Sequence, residues 1–163
     1  MSFRKGQTVI YPRHGVGKVT GRETADFAGV AREVLVISLD DGLVAKVAVD
    51  AADTVGLRPP VDAATARDVL TVLSGPSRYP ANFSRRFKNH TDKIASGDPF
   101  QLAEVVRNLE SRSRASKLSL AEADQLARCR GLLAAEIAAS LKIGTAAAEA
   151  KIDAAAAAMP AAA

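Results

Sequence analysis

Four places in the sequence carry residue types that could do chemistry: His14-Gly15-Val16-Gly17, the pair Asp40-Asp41, Cys129, and the run Asn82-Phe83-Ser84-Arg85-Arg86-Phe87-Lys88-Asn89-His90. A glycine-rich phosphate loop requires a helix after it and either a third Gly or a Lys-Ser/Thr pair. The residues after Gly17 read as strand, so these glycines predict a tight turn. Asp40 and Asp41 flank a turn and have no partner for acid–base work. Cys129 falls on an apolar helical stripe, which predicts a structural thiol rather than a nucleophile. His90 reads as a packed helical residue on the same side as Phe83, Phe87 and Ile94. Two His and one Cys are too scattered to form a metal site. No catalytic residue, metal or cofactor is predicted, and the chain is read as not an enzyme.

The fourth place differs. The chain has only five Phe, two Tyr and no Trp, yet two of the Phe stand beside Arg85, Arg86 and Lys88. From Arg78 to Lys93 there are five basic residues and one acidic, a local charge equal to the +4 of the whole chain. On a helix beginning at Ser84, Arg85, Lys88 and Asp92 share one side, and Arg86, Asn89 and Lys93 an adjoining one. Free N–H groups and the dipole at a helix start favour phosphate. Charge runs are also commonly solvated faces, and Phe83, Phe87 and Ile94 fit a core stripe. These residues alone leave two readings open, nucleic-acid binding and a helical protein-binding module.

Two textures of sequence must position these residues. Up to residue 58, β-branched runs (T-V-I-Y, V-L-V-I, V-A-K-V-A-V) alternate with Gly, and Asp41-Gly42 signals a hairpin. Four or five short strands there predict a small, strongly bent barrel of the SH3 or Tudor kind. Arg58-Pro59-Pro60 breaks the pattern. From Asp62 onward the chain reads as helix, with cap signals at Asp62, Asn82, Asp98-Pro99 and Ser119. Leu70 and Leu73, then Leu102, Val105, Val106 and Leu109, then Leu126, Cys129, Leu133 and Ile137, mark the apolar sides. The fold class expected is α+β in two segregated domains, a small Tudor/SH3-like β-barrel at 1–58 followed by an all-α domain at 62–143. Twelve of the nineteen residues after Gly144 are alanine, so 144–163 is expected to be a frayed or disordered tail with little to bury. The chain is 163 residues with pI about 9.5, mildly basic. A single cysteine, no apolar leader and no membrane-length apolar run predict a cytoplasmic protein.

Residues 3–19, F-R-K-G-Q-T-V-I-Y-P-R-H-G-V-G-K-V, resemble the opening of the CarD/CdnL family of bacterial transcription regulators. Residues 82–98, N-F-S-R-R-F-K-N-H-T-D-K-I-A-S-G-D, resemble its second signature, continued in register by A-E-V-V-R-N-L-E-S-R and K-L-S-L-A-E. The resemblance implies that the first domain binds the RNA polymerase β subunit, partly by edge-to-edge strand pairing. It implies that the helical domain contacts promoter DNA at the upstream edge of the bubble and stabilises the open complex. The family sets an aromatic wedge where this chain has Phe83, with Arg85, Arg86 and Lys88 holding phosphates. The usual wedge is Trp; Phe lacks the indole N–H, so its wedge should be weaker. A polymerase-contacting Arg of the family matches Lys46, which keeps charge but loses the bidentate fork. Another basic contact position matches Ala25, so that contact is absent or moved to Arg22. The implied protein is a monomer with no membrane partner, associated with the nucleoid through polymerase. Alone it should bind promoter DNA weakly and without sequence specificity; four phosphate contacts would give a log–log salt slope of about −4. The alternative is an adaptor on polymerase or another protein, without a direct DNA role.

Overall fold

Val9, Val19, Leu35, Ile37, Leu39 and Val47 recur on alternate strand positions and bury one face of a sheet together with Phe3, Ala52 and Leu57. The computed structural model, which describes residues 2–160, forms four strands from this pattern: β1 (Thr8–Tyr11), β2 (Gly15–Phe27), β3 (Val30–Leu39) and β4 (Val44–Ala48). They pair antiparallel in the order β1-β2-β3-β4. Gly15 makes the β1–β2 turn with φ 94°, the tight-turn role expected of it. Gly17 lies opposite Leu39, and a Cβ there would stand 2.6 Å from the Ile37 side chain, so only glycine fits. A bulge between Val19 and Gly21 bends β2. Gly42 closes the β3–β4 hairpin at φ 87°, with the Asp41 carboxylate accepting from the Leu43 N–H. On the edge of β1 away from β2, Ile10 forms an antiparallel bridge with Arg58.

The chain separates into two units, Met1–Pro60 and Val61–Ala163. The second holds five helices: α1 (Ala63–Leu73), α2 (Phe83–Ser96), α3 (Pro99–Ala115), α4 (Leu120–Leu141) and α5 (Thr145–Ala157). The side chains of Asp62, Asn82, Asp98 and Ser119 each accept a hydrogen bond from the first turn of the helix they precede. Gly97, left-handed at φ 69°, ends α2. Val69, Leu73, Leu102, Val105, Val106, Leu109, Cys129, Leu133, Ile137 and Ile152 form one apolar core. No single helix among the described residues is long and apolar enough to cross a membrane.

The expectation of a disordered tail is corrected over Thr145–Ala157. Alanine is the best helix former, and Ala148, Ile152 and Ala156 fall at i, i+4 and i+8, all buried. A stripe of small groups lets α5 approach α1 and α4 closely, so one isoleucine suffices as its anchor. Arg114 donates to the Ala156 carbonyl at 2.8 Å and Arg130 to Asp153 at 2.5 Å. Residues 161–163 of the expected tail lie outside the described residues.

Candidate nucleic-acid interface

Phe83 is the first residue of α2, fixed by the Asn82 cap, whose side-chain oxygen accepts from the Arg85 N–H at 3.0 Å. It is 45 % exposed, and its ring stacks on half-buried Phe87 with centroids 5.7 Å apart. Arg85 and Lys88 are exposed on the same first turns. Lys88 pairs with Asp92 at 2.8 Å one turn on, and that partner raises its pKa. The pair is fully solvated and exchangeable. The structure therefore gathers Phe83, Arg85 and Lys88 at one helix start.

Arg86 does not join them. It is 1 % exposed. Its Nε and Nη2 donate to the two carboxylate oxygens of Glu122 at 3.0 and 2.8 Å, and Nη1 donates to the carbonyls of Pro80 and Ala81 at 3.2 and 2.8 Å. The expected phosphate contact from Arg86 is corrected: its donors are spent inside the protein. The Glu122 hydrogen bonds raise the pKa of Arg86, and Arg86 in turn holds Glu122 below the usual carboxylate range. The Ser119 hydroxyl accepts from the Glu122 N–H at 3.1 Å, half of a capping box, but the Glu122 carboxylate turns to Arg86 instead of back to the cap.

Glu122 belongs to a polar layer that the sequence reading missed. Asn108 is buried; it accepts from the Arg78 N–H at 3.0 Å and donates to the Arg78 carbonyl at 2.8 Å. The same amide lies 3.3 Å from His90 Nε2. Ser77 and Ser111 hydroxyls meet at 2.9 Å. Gln125 donates to the Phe87 carbonyl and to Thr91, tying α4 to α2. The available signal was the i, i+4, i+8 series Arg86, His90, Ile94, which is the stripe α2 buries. His90 is packed as expected, with its pKa pushed down to about 4, chiefly by burial. Cys129 is buried, donates to the Leu102 carbonyl at 3.2 Å, and has its pKa pushed up to about 12 by burial, which makes it a poor nucleophile.

In the first unit the structure does not bring Arg22 and Lys46 together. Arg22 stands opposite Leu35 and Lys46 opposite Val36, so strand alternation sends them to opposite faces. Arg22 donates to the Phe3 carbonyl at 2.9 Å and to Glu33 at 3.0 Å. Lys46 stands exposed on β4, paired across β3 with Glu23. β4 ends the strand order, and from the Thr24–Glu33 pair outward β2 and β3 run as a largely exposed ribbon tipped by Phe27 and Val30.

A four-stranded antiparallel unit followed by a five-helix unit, with an exposed aromatic at a cationic helix start, defines a two-domain protein of the α+β class. The chain belongs to the CarD family: residues 68–153 match the CarD C-terminal domain and residues 3–61 the CarD-like/TRCF RID domain. It is similar to the Bacillus subtilis (strain 168) protein named "Putative transcription factor YdeB", with 25% identity over 137 residues, spanning 83% of this chain and 90% of that protein.

Proposed function

We propose that this chain regulates transcription initiation by binding the RNA polymerase β subunit and stabilising the promoter open complex through Phe83. Membership of the CarD family and the name of the B. subtilis relative support a transcriptional role. The observation that carries the finer reading is the exposure of Phe83, an apolar ring left 45 % open to water at the cationic start of α2. Apolar side chains inserted between base steps replace stacking lost at a distorted duplex. Arg85 and Lys88 supply phosphate contacts that position the ring without reading sequence. Lys46, on the edge strand β4, is the polymerase contact. Arg22, held by Phe3 and Glu33 on the opposite face, is not part of that patch.

The mechanism is differential affinity. A protein anchored on polymerase shifts the closed–open equilibrium only by the difference in its binding to the two states. Anchoring raises the local concentration of the helical unit, so its intrinsic DNA affinity can be weak. A photoreactive benzoylphenylalanine at position 83 tests this in complexes of bacterial polymerase, its principal sigma factor and promoter DNA. Crosslinks to DNA at the upstream bubble edge, dependent on polymerase, are expected. Crosslinks to protein alone would instead establish the adaptor reading.

A further inference from the structure

The buried polar layer beneath α2 converges on the residue that the proposed function depends on. Arg86 lies one turn after Phe83 on α2, and its guanidinium carbon stands 5.8 Å from the Phe83 ring centroid and 6.0 Å from that of Tyr79. Four hydrogen bonds occupy the same guanidinium, two to Glu122 and one each to the carbonyls of Pro80 and Ala81. Those carbonyls belong to the segment that leads into α2. The segment is bonded again at Ser77 through Ser111, and at both backbone groups of Arg78 through Asn108. Glu122 is itself fixed in the first turn of α4 by the Ser119 cap. One planar cation thus ties the loop before Phe83, the ring itself and the start of α4 into a single arrangement.

We infer that the Arg86–Glu122 pair is a positioning device for Phe83: it sets the direction in which the exposed ring leaves the helix start. The inference rests on the functional reading of Phe83 given above. Three features distinguish it from an ordinary structural ion pair. The fork of a guanidinium fixes orientation as well as distance, which a point charge does not. Two of its donors hold main-chain carbonyls two and three residues before Phe83 rather than side chains. The aromatic ring packs beside the cation, so a displaced cation displaces the ring. A hydrophobic pair would fill the same volume, and buried ion pairs are replaceable in that way without loss of stability. Such a replacement would leave the two carbonyls without these donors and the ring without the cation beside it.

The test uses the full chain labelled with 4-fluorophenylalanine at its five Phe positions. Fluorine spectra are compared for the wild type, Arg86→Lys, and the double variant Arg86→Met/Glu122→Leu. The expected result is a broadened or shifted Phe83 resonance, with Phe87 following it through the stack. Phe3, Phe27 and Phe100 should stay unchanged. A Phe83 line identical to wild type in Arg86→Lys overturns the inference, whatever happens on DNA; loss of dispersion at Phe83, Phe87 and Phe100 together shows that the pair only maintains the helical unit, and overturns it too. On promoter complexes, saturating Arg86→Lys should give a plateau lifetime reduced toward that of Phe83→Ala. A merely destabilised protein would reach the wild-type plateau at higher concentration. Adding Arg86→Lys to Phe83→Ala should cause no further loss. If Phe83→Ala itself leaves the plateau intact while the fluorine result holds, the positioning survives and the DNA role of Phe83 is what fails.

Discussion

At the scale of single residues, two adjacent arginines have opposite fates. Arg85 points to solvent and Arg86 is 1 % exposed, bonded to Glu122. Arg85→Ala should leave stability within about 0.5 kcal/mol and lower the log–log salt slope of DNA binding by about 1. Arg86→Ala removes both side-chain hydrogen bonds to the buried Glu122 carboxylate, leaving it only Arg112 at 3.9 Å, and should cost about 3 kcal/mol. Urea titration and salt-dependent DNA binding separate the two; an Arg86→Ala protein of normal stability with a reduced slope would show that Arg86 contacts phosphate. With Arg86 removed from the phosphate set, contacts from Arg85 and Lys88 alone predict a slope nearer −2, as an order-of-magnitude figure. Lys46→Glu should weaken capture by polymerase while leaving binding to free DNA unchanged, measured by co-purification and by fluorescence anisotropy. Capture that survives the charge reversal would displace the polymerase surface from β4.

At the scale of elements, the caps were legible because each has a local cause. Asp62, Asn82, Asp98 and Ser119 supply side-chain acceptors to free N–H groups, and all four bonds form. The rotation of α2 was not legible in hydrophobicity. Reading Phe83, Phe87 and Ile94 as the stripe turns the helix away from the series it buries, Arg86, His90 and Ile94. A buried cation is invisible to an apolar periodicity until its partner is known, and Glu122 lies 36 positions away. α5 was missed for a related reason: small residues signal little burial, yet they allow the closest packing. Ile152→Ala should therefore cost about 2–4 kcal/mol in denaturant unfolding; an unchanged midpoint would return the segment to the status of a tail. The burial of α2 also predicts a pH dependence. His90 is desolvated and faces Lys93 and Arg86, opposed by Glu122, so its folded pKa lies at about 4 against the ordinary 6.5. Between those values the unfolded chain holds a proton that the folded chain refuses. Stability is therefore full above pH 6.5 and falls as pH drops toward 4, by about 3 kcal/mol at most. His90→Gln should flatten that part of the stability–pH curve, and an unaltered slope would remove His90 as its source.

At the scale of the whole molecule, the two textures of sequence become two units, an antiparallel sheet and a five-helix bundle. The proposed function draws on exposed basic residues in each, Lys46 on the end strand β4 and Arg85 with Lys88 beside Phe83. Under the proposed function the division suits a tethered regulator: one unit would secure residence on polymerase, and the other would need only a small preference for melted over closed DNA. Because the ring is half exposed, Phe83→Ala should cost the fold only about 1 kcal/mol through loss of the Phe87 stack. The most direct test of the central claim is the lifetime of the open complex on a linear promoter fragment. Bacterial polymerase with its principal sigma factor is challenged by competitor, with and without saturating protein. The account predicts a longer lifetime with the protein, and reversion on Phe83→Ala with polymerase binding intact. An unchanged lifetime while the protein remains bound to polymerase would contradict it.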